Sequence, residues 1–255
     1  MKLISLNTWS GRGGNAALLN FFKKNKEKEV DIFCLQEVWE GGESYAPIWA
    51  SGIDAIDTKL VTNIKNTLTE HDCFFRPHYM DWYGLAMFIK KGVNIREEGD
   101  IFVFKNREDA FTDDEGGTAV NHARNMQYVT VVTGKGERTI TNFHGLWNGK
   151  SKEDTPERLL QADNITHFFK NVKNPYVLCG DFNLLPENES LKNLETFGMR
   201  NLIKEFGITS TRSSLYKKPV PFADYTLVNN GIKVNDFKML PDEVSDHLAM
   251  YLDFE

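Results

Sequence analysis

Little in this sequence invites disulfide, zinc or membrane chemistry. Three cysteines in 255 residues, Cys34, Cys73 and Cys179, are too few for a disulfide framework. Cys34 and Cys179 sit inside apolar runs and read as small buried hydrophobes. No cysteine pair or cluster of closely spaced histidines marks a zinc site. No apolar stretch approaches the ~20 residues of a membrane span. The N-terminus offers one lysine and a brief apolar-leaning run before Asn7, too short for a secretory signal. A cytoplasmic protein without a membrane anchor is the expectation. Positive charge is scarce as well: 30 Lys and Arg face 36 Asp and Glu, a net charge of −6. Proteins that hold long duplex DNA through its phosphates are basic, so a tight, sequence-independent grip on DNA is disfavoured.

What remains is an ordinary globular balance, 41% hydrophobic and 26% charged. The length suits one α/β domain over 1–255. Its most telling feature is a series of polar residues, each closing a hydrophobic run. Asn7 follows the run 2–6, Glu37 follows 32–36, His144 follows 139–143, and Asp181 and Asn183 follow 176–180. Asp246 and His247 precede a last apolar run. Runs of this kind are buried strands, and polar groups at their ends converge where neighbouring strands meet.

The pattern occurs twice. A strand ending at Asn7 leads to an apolar-periodic segment with Leu18, Leu19 and Phe22, then to the strand ending at Glu37. A strand ending at His144 leads to Thr155 as helix cap, Pro156 at the first helical position, and Leu159, Ala162, Ile165 and Phe169 on one face. The strand ending at Asp181 follows. Further helices are predicted near Leu60, Ile64 and Leu68, and near Leu191, Leu194 and Phe197 with Gly198 as the stop. Two pseudo-repeat halves, about 1–120 and 121–255, would each form a sheet with helices on one face. Packing the bare faces together gives a four-layer α-β-β-α sandwich, two sheets flanked by helices. A single doubly wound parallel sheet is the alternative, but helices and strands do not alternate regularly enough for it. The acidic stretch 96–121 reads as an exposed loop or hairpin at the rim of the cleft.

Carboxylates, carboxamides and imidazoles at one edge suit a divalent metal and a phosphate ester. Mg²⁺ takes one or two carboxylates and completes its shell with water and substrate oxygens, so Glu37 with Asn7 and Asp246 makes a partial site. Asp181 can orient or deprotonate a water, and Asn183 can donate to a phosphate oxygen; an Asx-type turn is the plainer reading of the pair. His247 next to Asp246, with Asp224 as a holding carboxylate, would carry a fixed tautomer and a raised proton affinity. His144 can serve as general acid or bind phosphate. Arg124 can clamp phosphate, with Asn142 assigned beside it. The run 209–214, which contains Arg212, either meets a phosphorylated substrate or is a solvated loop. Trp9, Trp39, Trp82 and Trp147 lie near the motifs, either to stack on a base or to pack.

Taken together, Asn7–Thr8–Trp9, Gln36–Glu37, Asn142–Phe143–His144, Gly180–Asp181–Phe182–Asn183, Asp224–Tyr225 and Ser245–Asp246–His247 resemble the endonuclease/exonuclease/phosphatase superfamily, the deoxyribonuclease-I-like fold. The resemblance spans nearly the whole chain and keeps the order of the motifs. It implies the same sandwich, a monomer, a Mg²⁺- or Mn²⁺-dependent site, and hydrolysis of phosphoester bonds. It also implies Glu37 as principal metal ligand with Asn7 and Asp246. Asp181 and Asn183 would position water and phosphate, and Asp224 would orient His247. His144 and Arg124 take the places of the second histidine and the phosphate-binding arginine of the deoxyribonuclease branch. Which of Asp181 and His247 is the general base stays open. One position departs: Gly84 stands where that branch carries a glutamate paired with the second histidine, so His144 has another partner or is a weaker acid. A phosphodiesterase or nuclease acting on a short or locally exposed ester is the first expectation. A phosphomonoesterase on a phosphorylated metabolite is the second. A non-catalytic binding module would be expected to have lost these residues.

Overall fold

Period-two burial organises the first sheet. In β1 (Lys2–Asn7), Ile4 and Leu6 face one way and Leu3 the other; in β2 (Ile32–Trp39), Phe33 and Leu35 oppose Ile32 and Cys34. In β4 (Tyr83–Lys90), Ala86 and Phe88 oppose Met87 and Ile89. One set packs with Leu18, Phe21 and Phe22 of α1 (Asn15–Glu27) and with Leu60 and Ile64 of α2 (Leu60–Thr67). The opposite set joins Val129, Ile140 and Cys179 in a core between two sheets. Each Phe or Leu so enclosed contributes about 1.5–3 kcal/mol.

The computed structural model describes residues 1–46, 56–107, 122–149 and 151–255. The remaining elements are β3 (His71–Tyr79), β5 (Asn94–Phe104), β6 (Arg124–Thr133), β7 (Gly136–His144), α3 (Pro156–Asn171), β8 (Tyr176–Asp181), α4 (Glu189–Thr196), β9 (Arg200–Asn201), α5 (Leu202–Glu205), β10 (Asp224–Val228), β11 (Val234–Met239) and β12 (Met250–Phe254). Strand order is β11-β12-β1-β2-β4-β3 in one six-stranded sheet and β5-β6-β7-β8-β10-β9 in the other. The α-β-β-α sandwich is therefore the observed architecture. The Thr155 hydroxyl caps α3 by accepting from the Arg158 amide at 3.4 Å. Among the described residues no helix is long and apolar enough to cross a membrane.

Both predicted strand–helix–strand units are present: β1 and β2 pair in parallel around α1, and β7 and β8 in parallel around α3. The halves do not each keep their own sheet, however. β5 joins the second sheet through β6, and β12 returns to pair antiparallel with β1, bringing β11 with it. Neighbours along the chain could not reveal this, because β1 and β12 meet only through the closure of the whole molecule. The acidic stretch is also corrected in part. Residues 96–104 lie in β5, which pairs antiparallel with β6 as the hairpin alternative has it and does not form a loop, with Glu98 and Asp100 paired to Arg76. Glu108, Asp109, Asp113, Asp114 and Glu115 lie outside the described residues.

Candidate active site

Register builds the site. The parallel pairing of β7 and β8 sets His144 opposite Asp181, and the antiparallel pairing of β8 and β10 sets Asp181 opposite Asp224. Three chemistry-bearing residues thus stand in one row across three strands. In the other sheet β1 ends at Asn7, opposite Gln36 of β2 and next to Glu37. The segment leading into β12 carries Asp246 and His247 past the end of β1, and a β-bridge joins Arg212 to His247. The two rows face each other at one edge of the sandwich.

Glu37 reaches this edge through a backbone irregularity. Strict alternation would give it the face of Phe33 and Leu35, toward the helices. The β2–β4 register instead shifts between Leu35 and Val38, and Glu37 adopts φ 55°. Asn183 is likewise left-handed at φ 53°. Such conformations cost about 1–3 kcal/mol each and gather at functional sites. The Asn7 amide nitrogen donates to Glu37 Oε1 at 3.1 Å and to Asp181 Oδ2 at 2.9 Å, joining the two rows.

Glu37, Asp181, His247 and His144 are each shifted by their surroundings. Burial raises the pKa of Glu37, and the charges of Asp246 and Asp181 add to it against the Asn7 hydrogen bond. Burial also opposes ionisation of Asp181, but His247, His144, Lys152 and Arg212 outweigh it and hold the carboxyl below its ordinary range. For His247, burial and Arg212 act downward, while Asp224, Asp246 and Asp181 prevail and raise the pKa. Its Nδ1 donates to both Asp224 oxygens at 2.9 Å, and the Thr211 hydroxyl donates to Asp224 Oδ2 at 2.8 Å. Its Nε2 lies 3.6 Å from Asp181 Oδ2. His144 Nε2 lies 3.8 Å from both Glu37 Oε1 and Asp181 Oδ2. Burial, then the charge of Arg124, keeps His144 well below its ordinary pKa.

These groups floor a pocket of about 410 Å³. Arg12, Arg124, Lys152, Arg212 and Lys218 line it, together with Trp9, Tyr83, Trp147 and Tyr216. Arg212 stacks on Tyr216 at 4.0 Å and donates to Asp246 Oδ2 at 2.9 Å. Its Nη1 also meets His247 Nε2. With the ring proton on Nδ1, Nε2 is free to accept from the guanidinium.

The sequence matches the Endonuclease/Exonuclease/phosphatase family over residues 4–247. The chain belongs to the endonuclease/exonuclease/phosphatase family. No curated protein matches it in sequence. Similar solved structures include a family protein from Bacteroides thetaiotaomicron, 16% identical, TM-score 0.74, covering 100% of this chain and 97% of that one. A mannosyl-6-phosphatase from the same organism is 15% identical at TM-score 0.74, covering 100% and 99%. TDP2 of D. rerio, complexed with single-strand DNA product, is 14% identical at TM-score 0.66, covering 100% and 98%. At such identities the likeness is one of fold.

Family membership makes the fit of a divalent ion the next question. The carboxylates of Glu37 and Asp181 offer ligand atoms that lie, with one of His144, within 4.8 Å of one another. The carboxylates of Glu37, Asp181 and Asp246 raise one another's energy when all are ionised, a repulsion that a cation relieves. Hard oxygen donors with room for water and substrate suit such an ion.

One residue predicted for the site is corrected. Asn142 is wholly buried between the sheets: its nitrogen donates to Leu35 O at 3.0 Å and Ala86 O at 3.3 Å, and its oxygen accepts from Gln36 at 2.6 Å. Nothing of it is left for phosphate. Asn7 turns its nitrogen to Glu37 and Asp181, while its oxygen accepts the Trp9 amide at 2.9 Å. That makes it an aligner of the two carboxylates. The Asn183 backbone N–H donates to Asp181 Oδ1 at 2.9 Å in an Asx-type turn, and the residue lines the pocket. The tryptophans divide: Trp9 and Trp147 line the pocket, whereas Trp39 and Trp82 stack on each other at 4.4 Å. Arg212 resolves toward the site. Lys152, Tyr83 and His78 belong to it or its support without any local sequence signal, because long-range contacts alone bring them there.

Proposed function

We propose that this protein is a divalent-metal-dependent phosphodiesterase that cleaves a short or locally exposed ester, in a nucleic acid or a small molecule, by attack of water. One observation carries the reading. His144, Asp181, Asn183 and His247 share the pocket floor with Glu37 and Asp246, and cations surround them. Asp181 accepts a hydrogen bond from the attacking water and aligns it. Its lowered pKa makes it an orienting acceptor more than a strong base. Asn183, His247 and Arg124 face the equatorial phosphoryl oxygens, where fixed donors and positive charge stabilise the developing negative charge. Glu37 and Asp246 would hold Mg²⁺ or Mn²⁺, which when bound polarises the phosphoryl group and offsets charge on the leaving oxygen. A pocket of this volume in an acidic chain suits a small ligand or a chain end better than a long duplex. A monomer in the cytoplasm belongs to the same proposal; size-exclusion chromatography tests the first part and localisation of the tagged protein in cells the second.

A phosphomonoesterase is the second reading. The pocket counts five Lys and Arg against three carboxylates, Glu37, Asp181 and Asp246, a surplus that favours a dianion. Turnover of bis(p-nitrophenyl) phosphate and p-nitrophenyl phosphate, with Mg²⁺, Mn²⁺ or chelator, separates the two. Metal-dependent diester cleavage is expected, with kcat lowered roughly 10²–10⁴-fold in Asp181→Ala. Normal turnover by folded Asp181→Ala protein would sink the assignment. Cleavage of the monoester alone would move it to the second reading.

A further inference from the structure

We propose that His78 is a positioning residue, which through a chain of directed hydrogen bonds holds Arg124 against His144 and so keeps the ring proton of His144 on Nε2, facing the substrate. The word substrate rests on the phosphoesterase reading; the hydrogen-bond directions do not.

The chain starts at Asp100 on β5. One terminal atom of Asn125 lies 2.9 Å from Asp100 Oδ2 and 3.2 Å from Arg76 O. Both partners only accept, so that atom is the amide nitrogen. The oxygen of Asn125 then faces His78 Nδ1 at 3.0 Å. An amide oxygen only accepts, so Nδ1 carries the proton. Burial, followed by the charge of Arg124, holds His78 well below its ordinary pKa. Its Nε2 is therefore a lone pair, and Arg124 Nη1 lies 3.3 Å away to donate into it.

The same Nη1 lies 3.3 Å from His144 Nδ1. A guanidinium keeps its protons and cannot accept. His144 Nδ1 must be the acceptor, which leaves the ring proton on Nε2. That atom points between Glu37 and Asp181, into the pocket. His144 thus presents a fixed N–H to a phosphoryl oxygen.

This arrangement also answers the missing glutamate. A Cβ at Gly84 would lie 2.4 Å from Arg76 O and 2.5 Å from Pro77 Cα, so no side chain fits there. The partner of His144 is a guanidinium, braced from behind by an imidazole. Tyr83 and His122 pack edge-on and face-on against His78, each at 5.3 Å, and restrain its ring.

Two-bond nitrogen–proton correlation spectra of histidine-labelled protein at neutral pH test the chain directly, with His144→Gln identifying the His144 signal. The expected result is His144 protonated on Nε2 and His78 on Nδ1. Kinetics add a second readout. His78→Phe keeps a ring but offers no acceptor, and should lower kcat roughly 10–100-fold with a smaller change in KM. His78→Gln restores an acceptor for Arg124 and should recover most of the rate. A His144 proton on Nδ1, or equal rates in the two folded variants, would overturn the proposal. If His78→Phe fails to fold, the wild-type spectra still decide. If the wild-type protein cleaves no phosphoester, the functional reading fails, while the spectra judge the hydrogen-bond chain separately.

Discussion

Lys152 shows how much one residue can gain from a place the sequence does not mark. It is nearly buried at the pocket wall, and its ammonium donates to Phe222 O at 2.8 Å. Burial, then the charge of Arg212, lowers its pKa from 10.5 to about 8. It is charged below that pH and loses its charge as pH rises through about 8, where an exposed lysine would keep it. KM for an anionic substrate should therefore climb above about pH 8, and Lys152→Arg should remove that limb; a profile unchanged by the substitution would exclude Lys152 as its source. The same shift has a stability consequence. Between the two pKa values the unfolded chain binds more protons, so this residue makes folding more favourable as pH rises across that window. Glu37, Asp181, Asp224, Asp246 and His247 were legible because a polar residue at the end of an apolar run is an anomaly in itself. Lys152, Arg212 and His78 carry no such anomaly. Their meaning comes from partners many residues away.

At the scale of elements, strand ends were legible and strand partners were not. The helices near Leu60, Leu159 and Leu191 follow from apolar spacing and caps, and α2, α3 and α4 occur there. β5 was hidden because its acidic residues imitate a loop, although Arg76 neutralises two of them from the neighbouring sheet. The tight seam between β7 and β8 explains Gly180. It adopts φ 144°, and a Cβ there would lie 1.9 Å from Phe143 O. Gly180→Ala should cost about 4 kcal/mol or more by urea denaturation, because backbone rather than a flexible side chain must yield. A loss below about 1 kcal/mol would show that the seam can open. Asn142 belongs to this scale too. Asn142→Leu removes a donor to Leu35 O and the acceptor for Gln36, and should destabilise by about 1–3 kcal/mol. Turnover per folded molecule should be largely retained, whereas selective loss of substrate affinity would restore the phosphate-binding assignment.

Across the whole molecule, an acidic chain places five of its 30 Lys and Arg around one pocket. A net charge of −6 coexists with a pocket lined by five Lys and Arg. The protein field repels extended polyanions, while the pocket attracts a local one. Converging carboxylates from both sheets could hold a cation at the same edge, and the proposed metal binding would then depend on the sheets staying in register. Calorimetry with Mn²⁺ should show binding that Glu37→Gln abolishes. Asn7→Ala, which frees Glu37 and Asp181 from their shared donor, should weaken it roughly 10–100-fold. Equal Mn²⁺ affinity in Asn7→Ala would remove Asn7 from the metal site altogether.

By itself the sequence determined the strand–helix–strand units, the alternating burial of the strands, and the polar residues that close them. Each depends on a residue and its near neighbours in the chain, which is all that periodicity and capping can express. Tertiary structure alone decided that β12 seals the edge of β1 and that Asn142 is consumed in the core. It also set Asn7 between Glu37 and Asp181, and an arginine rather than a glutamate beside His144. Those outcomes depend on hydrogen-bond direction and close approach between segments far apart in sequence, which exist only once the two sheets have packed.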